Sequence, residues 1–131
     1  MSSSDLHRAL LQSPVYARAN SASQGMVRAV VAYAQRRHAL APLVRPSGYF
    51  GFSPNFCEIQ YVGREAPAVT VSLFGSPERY RNAGFGAMLV PAQPGYARVR
   101  VRDPEQLPQL HSAMDLAWQL RSRRPSTEGE G

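Results

Sequence analysis

Apolar residues recur at three- and four-residue intervals in two stretches of the chain, which is the spacing of one buried helix face. In residues 21–40 that face comprises Val27, Val30, Val31, Ala34 and His38. In the last third of the chain it comprises Leu107, Leu110, Met114, Ala117 and Trp118. The second stretch follows Asp103-Pro104-Glu105-Gln106, whose residue types fit a capping box. A shorter helix is predicted over residues 5–12, because Ser13-Pro14 ends it.

The middle of the chain instead shows the two-residue alternation of half-buried strands. Strands are predicted over residues 49–52, 56–62, 69–74 and, most clearly, 96–102, and residues 86–92 form a further short candidate. Ser76-Pro77 marks the start of a short helix, because serine caps and proline fits the first helical position. The order predicts an α+β fold: two N-terminal helices, a mostly antiparallel sheet of four to five strands, and a C-terminal helix packed on the sheet.

The length of the chain fits one domain. With 131 residues, 44% of them hydrophobic, it can bury a single core. Two domains would each be too small to do so. We therefore expect a single α+β domain over residues 1–124, followed by a disordered polar tail over residues 125–131.

All 15 basic residues are arginine, and the formal net charge is +6. Arginine stays charged at any pH, offers a planar fork of donors to phosphate or carboxylate, and stacks on aromatic rings. Residues 1–45 hold six arginines against one acid, whereas residues 46–131 hold nine against eight. The excess charge therefore lies in the predicted N-terminal helices, which include Arg36 and Arg37.

One predicted strand aligns three arginines. Arg98, Arg100 and Arg102 alternate with aliphatic residues, so their side chains share one face of the sheet, about 6.5–7 Å apart along the strand. Tyr96 shares that face and could stack on a base. Two interpretations stay open: a face that binds anions, or a solvated face on which Glu58 or Glu65 forms cross-strand pairs with the arginines.

Other residue types argue against most enzymatic sites. Cys57 is the single cysteine, so an internal disulfide and a cysteine-rich zinc site are excluded. His7, His38 and His111 fall on three different helices, and no His/Asp pairing is predicted. Around Glu58 the second acid and the lysine of a metal-dependent nuclease are missing. We expect no cofactor and no metal, and a hydrolase based on Cys57 or a histidine is the least favoured function.

Four aromatic residues, Tyr49, Phe50, Phe52 and Phe56, cluster in the first strands. They indicate either the core of a strand pair or, less favoured, a stacking platform.

Cysteine usage and hydropathy favour a cytoplasmic protein. A lone cysteine is typical of a reducing compartment, and no apolar run approaches the roughly 20 residues needed to cross a bilayer. The Ser- and Arg-rich N-terminus lacks the order of a secretory signal but has the composition of a mitochondrial transit peptide. The mitochondrial matrix is therefore the alternative location.

Three segments carry a family resemblance: YFGFSPNFCEIQYV, VTVSLFGSPERY and GYARVRVRDPEQLPQLHSAMDLAW. Residues 46–120, which contain them, resemble a family of small bacterial α+β domains, some of which are fused to restriction-type or transport-annotated proteins. The layout is also similar to small DNA-binding-type proteins with a frataxin-like sheet. The resemblance implies a fold, and it implies no catalytic residue.

These observations favour a basic binding module for nucleic acid or another polyanion. The candidate binding residues are Tyr96, Arg98, Arg100, Arg102, Arg36 and Arg37. The alternative is a protein-interaction or accessory subunit, such as a homodimer, without a nucleic-acid role. No membrane partner is expected.

Overall fold

The computed structural model describes residues 2–45 and 49–123. The helices in these ranges are α1 (Ser3–Leu10), α2 (Pro14–Ala17), α3 (Ser21–His38), α4 (Pro77–Asn82) and α5 (Leu107–Arg123). The strands are β1 (Leu43–Val44), β2 (Phe50–Gly51), β3 (Cys57–Val62), β4 (Val69–Phe74), β5 (Leu89–Val90) and β6 (Tyr96–Val101). The tail predicted over residues 125–131 lies outside the described residues.

Within residues 2–45, three helices precede the first strand, one more than predicted. Helix α1 ends at Leu10, two residues before the predicted end, and Ser13-Pro14 starts the one-turn helix α2. The hydroxyl of Ser13 accepts from the N–H of Tyr16 at 3.3 Å, and Pro14 takes the first helical position, where its missing N–H costs nothing. Asn20 then caps α3, because its side-chain oxygen accepts from the N–H of Ser23 at 2.7 Å.

The described strands form one antiparallel sheet in the order β1-β2-β3-β4-β6-β5. This confirms the α+β class. The sheet has one strand more than the upper prediction, because the two-residue β1 pairs with β2 at one edge. A register shift interrupts the β3–β4 ladder: Ile59 pairs with Val71, but Tyr61 pairs with Thr70. The shift adds one residue to β3, and Tyr61 therefore shares the face of Thr70.

Helices α3 and α5 pack on one face of the sheet and cover its centre. Both helices bury most of the stripe that the sequence predicts: Val27, Val30, Val31 and Ala34 of α3, and Leu110, Met114 and Ala117 of α5. The remaining stripe residues, His38, Leu107 and Trp118, are half-buried. The strand residues buried beneath them are Ile59, Val69, Val71, Leu73, Ala97, Val99 and Val101. The C-terminal helix therefore packs on the sheet as predicted.

The opposite face of the central strands, called the open face below, is polar and aromatic. Its members are Glu58, Gln60, Tyr61, Thr70, Ser72, Phe74, Tyr96, Arg98 and Arg100. They alternate with the core residues along β4 and β6, as the pleat requires, and in β3 the register shift puts the consecutive residues Gln60 and Tyr61 on this face. Among them only Thr70 is buried, and the others are half-buried or exposed.

The turn between β3 and β4 is tied to the start of α3 through Gly63. The carbonyl of Gly63 accepts from the N–H of Asn20 at 3.0 Å, and its N–H donates to the carbonyl of Ala68 at 2.8 Å. The N–H of Ala68 donates in turn to the hydroxyl of Ser23 at 3.0 Å. A Cβ added at Gly63 would lie 2.1 Å from the carbonyl oxygen of Ala66, so only glycine fits this position.

Replacing Gly63 tests this connection between the helix and the turn. We expect Gly63→Ala to lower the free energy of unfolding by about 1–3 kcal/mol, because the backbone must move to admit the methyl group. The matched control is Gly25→Ala within α3, where the new Cβ meets only the end of Arg28 at 3.7 Å. The free energy of unfolding of Gly25→Ala should increase by about 0.5–1 kcal/mol, because alanine has the higher helix propensity. Urea denaturation measures the free energy of unfolding of both variants. A change of the same sign in both would contradict the requirement for glycine at position 63.

Candidate functional site

Arg98 and Arg100 lie at the centre of the open face, each anchored by one hydrogen bond to a neutral side chain. The Nε of Arg98 donates to Oε1 of Gln60 at 3.1 Å, and the Nε of Arg100 donates to the hydroxyl of Thr70 at 3.0 Å. The terminal amino groups of both guanidinium groups have no hydrogen-bond partner among the described residues. The anchors therefore orient the two cations and leave their outer donors available to a ligand.

Neither of the two glutamates considered as cross-strand partners forms an ion pair with these arginines among the described residues. Glu58 instead pairs with Arg45, whose Nε lies 2.7 Å from its carboxylate. Within the part of the chain that the structure describes, Glu65 makes no ion pair with Arg98 or Arg100. Of the two interpretations left open by the sequence, the cross-strand pairing with Glu58 or Glu65 is therefore wrong, because the register places Ser72 opposite Arg98 and Thr70 opposite Arg100.

The predicted row of three arginines is shorter than expected. Strand β6 ends at Val101, so Arg102 lies one residue beyond it, exposed, with its backbone N–H donating to Oε1 of Gln106 at 2.8 Å. Tyr96 begins the strand. It is 40% exposed and packs edge-on against Phe74, with ring centroids 6.3 Å apart. The open face thus combines two central arginines with an exposed tyrosine at one end.

A second exposed tyrosine, which sequence analysis missed, lies at the other end of this face. Tyr61 is 48% exposed, and the guanidinium of Arg100 lies 5.8 Å from its ring centroid. Tyr61 also lines a shallow recess with Arg18 and Arg64. Strict alternation along β3 would have placed Tyr61 with the core, so only the register shift brings it here. No periodic signal could have placed Arg18, which follows α2.

Three of the four aromatic residues in the first strands belong to the core, and the fourth, Tyr49, is 37% exposed. Phe50, Phe52 and Phe56 are all buried, as the favoured interpretation predicts. They cannot serve as a stacking platform, and the aromatic rings available to a ligand beside the arginines are those of Tyr61 and Tyr96.

Arg36 and Arg37 do not join this face. They lie in the last turn of α3, in the helix layer that covers the opposite side of the sheet. The guanidinium of Arg36 lies 5.7 Å from the ring centroid of Tyr33, and the Nε of Arg37 lies 3.7 Å from a carboxylate oxygen of Asp115. The structure therefore separates two of the predicted binding residues from the other four.

Packing of α3 against α5 creates a His/Asp pair that the sequence did not predict. The Nε2 of His38 lies 3.3 Å from Oδ1 of Asp115, and the hydroxyl of Tyr33 donates to Oδ2 of the same carboxylate at 2.7 Å. Tyr33 stacks on His111, with centroids 4.1 Å apart. The described residues contain no group of three histidines, cysteines or acids that could hold a metal ion. We interpret this cluster as a polar contact between the two helices.

Cys57 is an unfavourable nucleophile. The thiol is buried, and burial together with the nearby charge of Glu58 raises its pKa far above the ordinary value. The thiolate form that reacts is therefore strongly disfavoured.

Comparison with known proteins gives no match: no family model, no curated protein and no solved structure corresponds to this chain. The family resemblance of residues 46–120 consequently stays a prediction. Across residues 2–45 and 49–123, every helix is too short or too polar to cross a membrane.

The two histidines between α3 and α5 predict a loss of stability in acid. Burial lowers the pKa of His38, against the opposing effect of Asp115, and burial and then Arg36 lower the pKa of His111. The unfolded chain therefore takes up protons first as the pH falls through the ordinary histidine pKa of about 6.5. We expect the free energy of unfolding, measured with urea, to decrease between about pH 7 and pH 5.

A double variant controls for the other titrating groups. His38→Gln/His111→Gln should show a flatter pH dependence than the unmodified protein, whatever its absolute stability. An equally steep decrease in both proteins would show that other groups cause the acid sensitivity.

Proposed function

We propose that this chain is a binding module for single-stranded nucleic acid, which it holds on the open face. The observation that carries the proposal is the pair Arg98 and Arg100, anchored by neutral side chains and flanked by the exposed rings of Tyr61 and Tyr96. Guanidinium groups bind phosphate, and aromatic rings stack on bases of any sequence. Residues 96–100 span about 13 Å along β6, which leaves room for a few nucleotides.

Charge supports an anionic ligand. The chain carries a formal net charge of +6, and the recess beside Tyr61 is lined by Arg18 and Arg64 together with one acid, Glu65. Such a surface attracts a polyanion at long range and makes its affinity fall with salt. Both locations expected from the sequence, the cytoplasm and the mitochondrial matrix, contain nucleic acid.

The shape of the face supports a single strand rather than a duplex. A duplex keeps its bases stacked on one another, and proteins read it with an element that enters a groove. Here the tyrosines and arginines project from a pleated sheet, where unstacked bases can lie flat on the rings.

Removing the two central arginines tests the phosphate contacts. We expect Arg98→Ala/Arg100→Ala to bind labelled single-stranded oligonucleotides about tenfold more weakly, or worse, at low salt. The slope of log affinity against log salt should decrease by about 1.4, which is roughly 0.7 for each lost phosphate contact. Fluorescence anisotropy over a salt series measures both quantities.

The matched control is Arg36→Ala/Arg37→Ala, which removes the same charge from the helix layer. It should change the affinity and the salt slope much less. Equal losses in the two double variants would contradict binding on the open face, and absence of binding by the unmodified protein would refute the proposed function. Light scattering of the free protein tests the alternative, since a stable homodimer through this face would bury both arginines.

Replacing the two tyrosines tests stacking separately from charge. We expect Tyr61→Leu/Tyr96→Leu to lose about 1–3 kcal/mol of binding free energy per stacked base, with little change in the salt slope. The pair Tyr61→Phe/Tyr96→Phe keeps both rings and should bind nearly as well as the unmodified protein. Similar affinities of the leucine and phenylalanine pairs would show that the rings do not stack on bases.

A further inference from the structure

The open face contains a recess of about 220 Å³ beside Tyr96. Its lining includes Glu58, Gln60, Ser72, Phe74, Gln93 and Tyr96, together with Asn55, Phe56 and Cys57 at the start of β3. It is smaller than the roughly 300–1,000 Å³ of a pocket for a drug-sized molecule. A single flat heterocycle is the kind of group that suits it.

The recess exists because the central strand carries a small side chain at this point. Ser72 lies on β4 between two larger open-face residues, Thr70 and Phe74. Its cross-strand neighbours are Glu58 on one side and Arg98 on the other. The short serine side chain therefore leaves a space that the longer side chains around it enclose.

One wall of the recess is aromatic. Phe74 and Tyr96 pair across β4 and β6, and their rings meet at 89°. The ring of Tyr96 stays exposed, and the guanidinium of Arg121 lies 5.9 Å from the centroid of Phe74. A planar base can enter beside Tyr96 and contact its ring.

The opposite side of the recess is polar and held in a fixed orientation. One carboxylate oxygen of Glu58 forms an ion pair with the Nε of Arg45 at 2.7 Å, and the other accepts a hydrogen bond from Nε2 of Gln60 at 3.2 Å. Gln60 in turn accepts from Arg98. Each carboxylate oxygen of Glu58 retains a further lone pair, and the side-chain amide of Gln93 has no partner among the described residues. The recess therefore offers a preorganised acceptor and a free amide.

We propose that this recess receives one base of the bound strand and prefers a base with an exocyclic amino group. This rests on the proposed function and adds a base preference to it. The carboxylate of Glu58 can only accept hydrogen bonds, so it favours the amino groups of guanine, adenine or cytosine. Uracil and thymine present one N–H between two carbonyl oxygens. The negative charge of a carboxylate repels these two oxygens.

A set of labelled octamers tests the preference. The reference is an all-uridine octamer, and in each of the others one central uridine is replaced by guanosine, adenosine or cytidine. At low salt, at least one substituted octamer should bind the unmodified protein about fivefold more tightly than the all-uridine octamer, or better, as measured by anisotropy. A gain of this size corresponds to one well-formed base contact. A matching set of deoxyribonucleotide octamers shows whether the sugar matters.

Two substitutions of Ser72 locate the preference. Ser72→Ile fills the recess with a good strand former and should reduce the preference to less than about twofold, while binding of the all-uridine octamer changes little. Ser72→Ala keeps the recess open and should retain the preference. If circular dichroism shows that Ser72→Ile does not fold, Glu58→Gln takes its place. That variant replaces a carboxylate, which only accepts hydrogen bonds, with an amide, and it should weaken the base preference.

The outcomes separate the two proposals. Equal affinity for all octamers would overturn the base recess and leave nucleic-acid binding in place. A preference that survives in Ser72→Ile and in Glu58→Gln would also overturn it, because the base would then be recognised elsewhere. Failure of the unmodified protein to bind any octamer would refute the proposed function itself.

Discussion

Burial of one face of β4 and β6 beneath α3 and α5 is the constraint on which the rest of the structure depends. Val71, Leu73 and Val99 are fully buried there. Because successive side chains of a strand point to opposite faces, this burial forces Arg98 and Arg100 outward. A slip of one residue in the register would place the guanidinium groups in the core, where an unpaired charge is very costly. The apolar core thus fixes the position of the candidate ligand-binding groups.

Periodicity predicted the parts of this structure that depend on local spacing. The α3 and α5 stripes and the outward arginines of β6 follow from intervals of three, four and two residues. The position of Tyr61 could not be predicted this way, because one extra residue in β3 reverses the alternation. The contact of His38 with Asp115 was missed for another reason: it depends on how two distant helices pack, which no local pattern records.

The placement of Glu58 decides the electrostatic character of the open face. Its carboxylate is taken by Arg45, whose guanidinium lies above Gly51, within 2.7 Å of where a Cβ there would be. Arg98 and Arg100 are left with an amide and a hydroxyl, which orient them without neutralising their charge. A glutamate at either anchor would hold the same side chain equally well but would compete with a phosphate for it. Neutral anchors are thus compatible with recognition of an anion.

The edges of the sheet bear on a different mode of binding. The outermost strands, β1 and β5, are only two residues long. A long edge strand presents a row of unpaired backbone groups, onto which an extended peptide or another copy of the chain can add as a further strand. Strands of two residues offer such a ladder little template of their own, although β5 pairs with only Arg98 and Val99 of the six-residue β6. The side chains of the open face can be exchanged without altering the backbone hydrogen bonds of the sheet, so a change in the chemistry of this surface needs no change of fold.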